Sequence, residues 1–290
     1  MRVSVIDVGS NTARLFVTDV RGTGLSVVDE DRAFLELGAG RPVDVERLAD
    51  LRKVARRFAK RSRELNVDIA ETVVTAPGRG ARGKEIVQVL RDVTKGPVRV
   101  LTPDEEGFLA YTGAVACGGD VPEVVAVVDV GGGSTEIVVG TPWLGPSWIR
   151  SLELGSLSVA RAHLLGDAPG THKLEAARDE VRRSLEAIDP PWSDAALATG
   201  GSARAMRKIA GEGYTAEELD DAVSTLARLR APEISEVFGI NPRRAGTVVA
   251  GAVVLAEVAR VLRRRLVVAR GGLREGVALE LGGEAARAAA

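Results

Sequence analysis

The sequence of 290 residues contains few of the residue types that build thiol, zinc and base-stacking sites. It has one cysteine, Cys117, and two histidines, which excludes an intramolecular disulfide and disfavours a zinc cluster. Aromatic residues make up 3% of the chain, so little material is present for stacking against a nucleobase. The low cysteine content is typical of a reducing compartment, and we expect a cytoplasmic protein.

The chain also has little net charge and no long uninterrupted apolar run. Its formal net charge of -1 gives no overall attraction to nucleic acid or to an anionic membrane, so we expect neither as a partner. The apolar runs are interrupted well short of the roughly 18 residues typical of a membrane span, and the N-terminus enters a strand-like run without the apolar region of a signal peptide. An anionic ligand must therefore be bound by a local site.

What the chain does contain is alternating strand-like and helix-like sequence, with 45% hydrophobic residues to form a core. Hydrophobic periodicity and Gly or Pro breaks predict strands over 2–8, 13–20, 25–31, 68–76, 96–101, 146–154, 195–199 and 266–270, and helices over 44–65, 81–93, 103–117, 174–188, 201–210, 243–265 and 272–281. We expect an α/β protein of two domains, 1–118 and 119–290. The final helix, at about 272–282, is a candidate to pack back on the first domain, and the tail 283–290 is expected to be frayed.

One hairpin pattern occurs twice. The stretch "VIDVGSNTARLFVT", from Val5 to Thr18, and the stretch "VVDVGGGSTEIVVG", from Val127 to Gly140, each consist of an apolar run, Asp-Val-Gly, small polar residues and a second apolar run. At one constant offset, Asp7 matches Asp129, Gly9 matches Gly131, Thr12 matches Ser134 and Arg14 matches Glu136. A hairpin that is repeated at the start of each half indicates a functional role more strongly than a single turn does.

Each hairpin has the residues expected of a phosphate site. Glycine turns let the backbone approach a ligand closely, successive backbone N–H groups attract anions, and a hydroxyl after the turn adds a donor. The candidate phosphate-binding residues are Gly9, Ser10, Asn11, Thr12 and Arg14 in the first hairpin and Gly131, Gly132, Gly133 and Ser134 in the second. Because Asp7 and Asp129 would repel phosphate by themselves, we expect them to hold Mg²⁺ or another divalent cation that bridges to phosphate. Two such hairpins facing across a cleft would grip one polyanion.

The stretch "TPDEEGFLAY" predicts the start of a helix with two adjacent acids in different roles. Thr102 is a favourable N-cap, Pro103 suits the first helical position, and Glu105 occupies the capping-box position. Glu105 therefore has a local use, whereas we expect Glu106 to point into the cleft.

The motifs "DVGSNTARL", "TPDEEG", "DVGGGSTE", "LELGSLSVA", "ATGGSARAM" and "GGLREGV" resemble, in the same order, those of the exopolyphosphatase/guanosine pentaphosphate phosphatase (Ppx/GppA) family, over nearly the whole chain. That family belongs to the actin-like superfamily, so the resemblance implies two actin-like (ribonuclease H-like) domains with an interdomain cleft. It further implies metal-assisted hydrolysis of a phosphoanhydride, with inorganic polyphosphate as the first expectation for the substrate. A homodimer is an expectation of the same origin.

The resemblance also implies roles for individual residues. Glu106, directly before Gly107, matches the family's general base, and Glu136 matches a second acid near the metal or the attacking water. Asp129 matches a metal ligand, and Arg79 matches an arginine near the substrate. Further phosphate contacts are implied for Gly155, Ser156, Gly200, Gly201 and Ser202, with helix capping as the alternative.

Three glycines depart from the family pattern. Gly80 and Gly83 stand where an acid or amide and an Asn are usual, and Gly246 stands where an acid commonly follows Arg-Ala. These departures keep open an alternative of another class, a regulator of weak activity that binds polyphosphate or a nucleotide. Within the family, the alternative activity is hydrolysis of the 5′ γ-phosphate of guanosine pentaphosphate. An actin-like kinase is disfavoured because no acid is placed as a base for a sugar hydroxyl.

Overall fold

The computed structural model describes residues 1–38, 43–164, 166 and 168–288, which divide into two compact units. The first unit contains Met1–Cys117 and the segment that begins at Gly271, and the second contains Gly118–Arg270. The division along the chain therefore falls one residue before the predicted one, and the C-terminal helix belongs to the first unit rather than to the second.

The first unit is a five-stranded sheet with helices on both faces. Its elements before the division are β1 (Arg2–Val8), β2 (Thr12–Arg21), β3 (Gly24–Phe34), α1 (Val45–Glu64), β4 (Ile69–Val74), α2 (Ala76–Arg79), α3 (Gly83–Thr94), β5 (Val98–Val100) and α4 (Pro103–Ala116). The strand order is β3-β2-β1-β4-β5. Apolar side chains alternate between two clusters, one under α1 and α3 and one on the opposite face, so both faces of the sheet are buried.

The second unit has a six-stranded sheet around a long buried helix. Its elements are β6 (Val125–Val130), β7 (Thr135–Thr141), β8 (Gly145–Leu152), α5 (Ser156–His163), α6 (Thr171–Leu185), β9 (Ala195–Thr199), α7 (Gly200–Ala210), β10 (Gly213–Tyr214), α8 (Ala216–Leu226), α9 (Ala231–Phe238), α10 (Pro242–Leu262) and β11 (Leu266–Val268). The strand order is β10-β11-β9-β6-β7-β8. By length and composition α10 could cross a membrane, but 83% of its apolar stretch is buried in the unit, as in the core helix of a soluble protein.

The chain ends in α11 (Leu273–Ala288), which packs against α4 in the first unit. Glycines let the two helices meet at backbone distance: a Cβ on Gly276 would lie 2.0 Å from the carbonyl oxygen of Leu109, and one on Gly113 would lie 2.0 Å from that of Gly272. The expectation of a frayed tail from residue 283 is wrong as far as Ala288, because strong helix formers such as Ala, Glu and Arg extend α11 through this segment.

The two sheets share one strand arrangement. In the first, β1, β4 and β5 run parallel, and β2 and β3 continue antiparallel from β1. In the second, β6, β9 and β11 run parallel, and β7 and β8 continue antiparallel from β6. In each unit the carboxyl ends of the parallel strands therefore lie at one edge, which is where open α/β sheets bind ligands.

Candidate active site

The two repeated hairpins have the same geometry. The N–H of Gly9 donates to the carbonyl of Thr12 at 2.9 Å, and the N–H of Gly131 donates to the carbonyl of Ser134 at 3.0 Å. Each turn joins the carboxyl end of the first parallel strand to its antiparallel neighbour. The repeat seen in the sequence is therefore a structural repeat at the carboxyl ends of the parallel strands of each unit.

In the first unit, this edge brings the Gly9 turn together with the ends of β4 and β5. The N–H of Thr75 donates to the carbonyl of Val8 at 3.1 Å, and the N–H of Leu101 donates to the carbonyl of Val74 at 2.9 Å. Directly after these residues the chain enters α2, which carries Arg79, and α4, which carries Glu106. Three separate segments thus place their side chains at one edge of the sheet.

Glu106 is a buried carboxylate held by an arginine. The residue is 6% exposed, and its Oε2 lies 3.0 Å from Nη1 of Arg79. The neighbouring Glu105 forms the predicted capping box with Thr102: its carboxylate accepts from the Thr102 N–H at 2.7 Å, and the Thr102 hydroxyl accepts from its N–H at 3.2 Å. The hydrogen bond from the Thr102 N–H lowers the pKa of Glu105. The separate local role expected for Glu105 is confirmed.

The polar residues of the first turn are buried. Ser10, Asn11 and Thr12 are 5%, 5% and 8% exposed. The Asn11 carbonyl accepts from the N–H groups of Leu35 and Glu36, but its side-chain Nδ2 has no hydrogen-bond acceptor within the described residues. A buried donor in this state costs roughly 1–3 kcal/mol. An oxygen of a bound phosphate would remove that cost.

The pairing register gives the two hairpins different net charges. In the first, Asp7 on β1 is directly opposite Arg14 on β2. In the second, Asp129 on β6 is directly opposite Glu136 on β7, and Glu136 is 1% exposed. Directly opposite residues project from the same face of a sheet. The first hairpin thus pairs an acid with a cation, and the second places two carboxylates side by side.

Two hydroxyl residues extend the acidic row of the second unit. Ser151 on β8 is opposite Glu136 and donates to its Oε1 at 2.8 Å, and Thr199 on β9 is opposite Asp129. Gly200 follows with a φ of +87°, and a Cβ there would lie 2.4 Å from Oδ1 of Asp129. Ser151 is not identified from the sequence, because its place beside Glu136 depends on the pairing register of β7 with β8.

The remaining predicted residues of the second unit support the turn or the core. The Ser156 N–H and hydroxyl both donate to the Gly131 carbonyl at 3.0 Å, and the Gly132 carbonyl accepts from the first turn of α5. Gly155 packs on the turn, since its Cβ would lie 2.8 Å from the N atom of Gly133. Ser202 is 1% exposed, and a Cβ on Gly251 of α10 would lie 2.6 Å from its hydroxyl oxygen.

Arg244 is a further residue at the edge of the second unit. It is 6% exposed, and a Cβ on Gly201 would lie 2.3 Å from its Nη2, so the guanidinium rests against the start of α7. The sequence gives no signal for this contact, because Arg244 follows the proline of α10, far along the chain from Gly201. The absence of a side chain at Gly201 is what admits the guanidinium.

The second hairpin has a donor set that fits a hard divalent cation. Asp129 and Glu136 supply carboxylate oxygens, and Ser151 and Thr199 supply hydroxyls in the same row. Within the described residues, no group of three or more His, Cys, Asp or Glu side chains could hold a metal by itself. This is compatible with Mg²⁺, which binds through one or two carboxylates and completes its shell with water and substrate phosphate.

Comparison with known proteins places the chain in a family. Residues 17–284 match the family model described as Ppx/GppA phosphatase family. The chain is 29% identical over 320 residues to Exopolyphosphatase 2 of Mycobacterium tuberculosis, covering 97% of this chain and 99% of that protein. It is 24% identical over 230 residues to a guanosine-5'-triphosphate,3'-diphosphate pyrophosphatase of Pseudoalteromonas atlantica, covering 76% of this chain and 44% of that protein.

A solved structure of the Aquifex aeolicus PPX-GPPA enzyme matches with a TM-score of 0.79 at 25% identity, covering 97% of this chain and 99% of that chain. The predicted α/β fold of two domains is confirmed.

Proposed function

The chain belongs to the Ppx/GppA phosphatase family and is a phosphoanhydride hydrolase, and from this premise we propose that it removes the terminal phosphate from inorganic polyphosphate. The observation that carries the proposal is that two hairpins of like geometry differ in charge, one pairing an acid with an arginine and the other pairing two acids. The row through Asp7 contains Arg14, which suits a phosphate oxygen. The row through Asp129 contains Glu136, and two adjacent carboxylates suit a divalent cation.

The proposed reaction is an in-line attack of water on the terminal phosphorus. Glu106 accepts a proton from the water as the new P–O bond forms, and the anhydride P–O bond breaks with its electron pair passing to the shortened chain. Arg79 keeps the Glu106 carboxylate in one orientation. Backbone N–H groups of the Gly9 turn and the Arg14 guanidinium stabilise charge on the phosphoryl oxygens. Asp129 and Glu136 of the second unit would hold Mg²⁺, which supplies positive charge for phosphate oxygens when it is bound.

The preference for inorganic polyphosphate over a nucleotide follows from contacts that do not recognise a base. Phe34 lies opposite Thr12 in the register, but the Arg32 guanidinium covers its ring, 5.3 Å from the centroid. Phe108 is 47% exposed, yet it follows Glu106 by two residues and so lies about 200° round the helix from it. Neither aromatic ring is placed to stack on a nucleobase beside Glu106.

The packing of Gly83 argues against the alternative of a weakly active regulator. A Cβ on Gly83 would lie 1.9 Å from the carbonyl oxygen of Gly78, so the contact between α2 and α3 requires glycine there. This departure from the family pattern is therefore part of the packing that carries Arg79. Gly80 has room for a side chain, and nothing in the structure explains the glycine at position 246.

The experiment that tests the proposal compares kcat/KM for triphosphate, medium and long polyphosphate, guanosine pentaphosphate and ATP at one salt concentration with Mg²⁺. We expect polyphosphate to exceed guanosine pentaphosphate by at least about tenfold, equivalent to about 1.4 kcal/mol of transition-state stabilisation. A tenfold preference for guanosine pentaphosphate would establish the alternative activity. Binding of polyphosphate without release of phosphate from any of these compounds would support the regulator.

We propose that the protein is cytoplasmic and forms a homodimer. A cytoplasmic location fits Cys117, a free thiol whose pKa is raised by burial, which makes it poorly reactive. We further propose a homodimer on the basis of the family resemblance alone. Light scattering coupled to size exclusion, at several protein concentrations, distinguishes the dimer from a monomer.

A further inference from the structure

The acidic row of the second unit has a counterpart in the first unit that reaches one strand beyond the hairpin. On β3, Arg32 is directly opposite Arg14 of β2, just as Ser151 of β8 is opposite Glu136 of β7. The three-strand row of the first unit is therefore Asp7, Arg14, Arg32, with one negative and two positive charges. Arg32 stands two residues before the end of β3, at the same edge of the sheet as the Gly9 turn.

Two arginines directly opposite each other carry a cost. Like charges at opposite positions of neighbouring strands destabilise a sheet, and this row contains one carboxylate, Asp7, and two guanidinium groups. The carboxylates next to Arg32 on its own strand are engaged elsewhere: Glu30 pairs with Arg274 at 2.8 Å, and Asp31 pairs with Arg57 at 2.9 Å. A second anion beside this pair would relieve the repulsion.

The surroundings of Arg32 direct its side chain toward the turn. It is exposed, and within the described part of the chain no carboxylate forms an ion pair with its guanidinium. The guanidinium instead lies over the ring of Phe34, the residue opposite Thr12. Stacking on Phe34 holds the cation near the end of the strand, with its N–H groups at the edge accessible to solvent.

We propose that Arg32 and Arg14 form a second phosphate subsite, which binds a phosphoryl group of the polyphosphate chain beyond the group held by the Gly9 turn. The inference rests on the proposed function and deepens it. A guanidinium presents a planar fork of donors that matches phosphate oxygens, and two adjacent forks can share one phosphoryl group. Because Arg32 is one strand farther from the turn than Arg14, it contacts the retained chain and not the departing phosphate.

The subsite predicts a dependence on chain length. A substrate long enough to reach Arg32 gains its contact, whereas a short one does not. In Arg32→Gln we expect KM for medium-length polyphosphate to rise about tenfold, with kcat within twofold of the parent and with KM for triphosphate changed by less than threefold. Arg32→Lys keeps the charge but loses the fork, so we expect an intermediate KM.

The matched control is Arg21→Gln. Arg21 is an exposed arginine at the other end of β2, so its replacement removes the same charge from the same sheet, away from the turn. We expect kinetics like those of the parent at equal salt. An equal rise in KM for Arg32→Gln and Arg21→Gln would overturn the subsite and leave only a general charge effect.

A binding measurement separates this inference from the proposed function. In the Glu106→Gln background, we expect Arg32→Gln to weaken calorimetric binding of medium-length polyphosphate about tenfold, with circular dichroism like that of the parent. Equal affinity with and without Arg32 would overturn the subsite while leaving the proposed reaction intact. An unmodified enzyme that binds polyphosphate but releases no phosphate would overturn the proposed reaction, and loss of that binding in Arg32→Gln would still support the subsite.

Discussion

A single nitrogen of Arg79, Nη1, donates both to the carbonyl oxygen of Leu101 at 2.7 Å and to Oε2 of Glu106 at 3.0 Å. Leu101 is the residue that leads from β5 toward α4, so the arginine links the end of the sheet to the start of the helix. The Glu106 carboxylate is therefore oriented from outside its own helix. This orientation is what a general base needs, because it must meet a water in one direction.

Glu106→Gln should abolish phosphate release and leave polyphosphate binding within about threefold of the parent. The amide keeps the shape of the side chain but cannot accept the proton of the attacking water, a role worth ~10²–10⁴-fold in rate. Phosphate release and calorimetric affinity are measured on the same preparations. Turnover like that of the parent would remove Glu106 from the mechanism.

The control for that variant is Glu105→Gln, the same change one residue earlier. Gln also serves in a capping box, so the helix start should persist with the loss of a favourable charge in its first turn, roughly 0.5 kcal/mol. We expect turnover like that of the parent and a small decrease in the urea midpoint. If both variants lost activity equally, the helix start and not one carboxylate would be responsible.

Asp129→Asn should weaken Mg²⁺ binding at least about tenfold, whereas Asp7→Asn should change it little. Asp129 stands beside a second carboxylate, and two adjacent carboxylates suit a divalent cation. Asp7 stands beside Arg14, which already supplies positive charge. Titration calorimetry with Mg²⁺ after chelator treatment measures the difference directly. Full turnover in chelator would exclude a role for metal at either residue.

Ser151→Ala should raise the Mg²⁺ concentration needed for half-saturation, by roughly tenfold, with little change in KM for polyphosphate at saturating Mg²⁺. The hydroxyl fixes Oε1 of Glu136 and is a positioning contact. Ser147→Ala is the control, since Ser147 lies on the same strand and donates only to the Val139 carbonyl. Identical Mg²⁺ titrations for the two variants would contradict the role of Ser151.

Glu257→Gln should lower the free energy of unfolding by about 3 kcal/mol, because it removes the central charge of an ion-pair network in which Glu257 and Arg178 are buried. Glu257 is 3% exposed, and its carboxylate lies 3.3 Å from Arg178, 3.3 Å from Arg182 and 2.8 Å from Arg260. Urea denaturation measures the loss. The exposed Glu236→Gln should stay within about 0.5 kcal/mol of the parent, and an equal effect of the two changes would show that the network contributes no stability.

Relative to the parent, Glu71→Gln should gain stability as pH rises from the ordinary Glu pKa of 4.5 through the raised pKa of the folded state. Burial raises the pKa of Glu71, Arg99 opposes this, and Glu280, Glu284 and Glu105 add to it. The folded parent therefore binds a proton more tightly than the unfolded chain, and its stability falls as pH rises from the unfolded pKa through the raised one. Gln has no such titration. Thermal unfolding of both proteins across this range measures the difference, and parallel curves would contradict it.

Local sequence signals predict the parts of the site that lie within one hairpin or one helix start. The Asp-Val-Gly pattern locates both turns, and Thr102 with Glu105 locates the start of α4, because the contacts that define them span only a few residues. The strands and most helices follow from periodicity for the same reason. The short helix α2 is missed, because four residues give no periodic signal.

Contacts between distant segments are not predictable in this way. Arg32 and Ser151 occupy equivalent strand positions, yet the constant offset of the repeat does not relate them, because β2 and β3 are longer than β7 and β8. Arg244 meets Gly201 only through the packing of α10 against α7. These residues can be identified as candidate site residues only when the strand register and the helix packing are known.

The place of α11 has a consequence for how the protein is made. A ribosome synthesises Gly118–Arg270 in one stretch, so the second unit can complete its fold while the first still lacks the helix that covers Val20 and Leu109. Until the segment from Gly271 emerges, one apolar face of the earlier sheet stays open to solvent and to other nascent chains. The unit that begins the chain is thus the last to be finished, and its assembly depends on a segment translated after its neighbour.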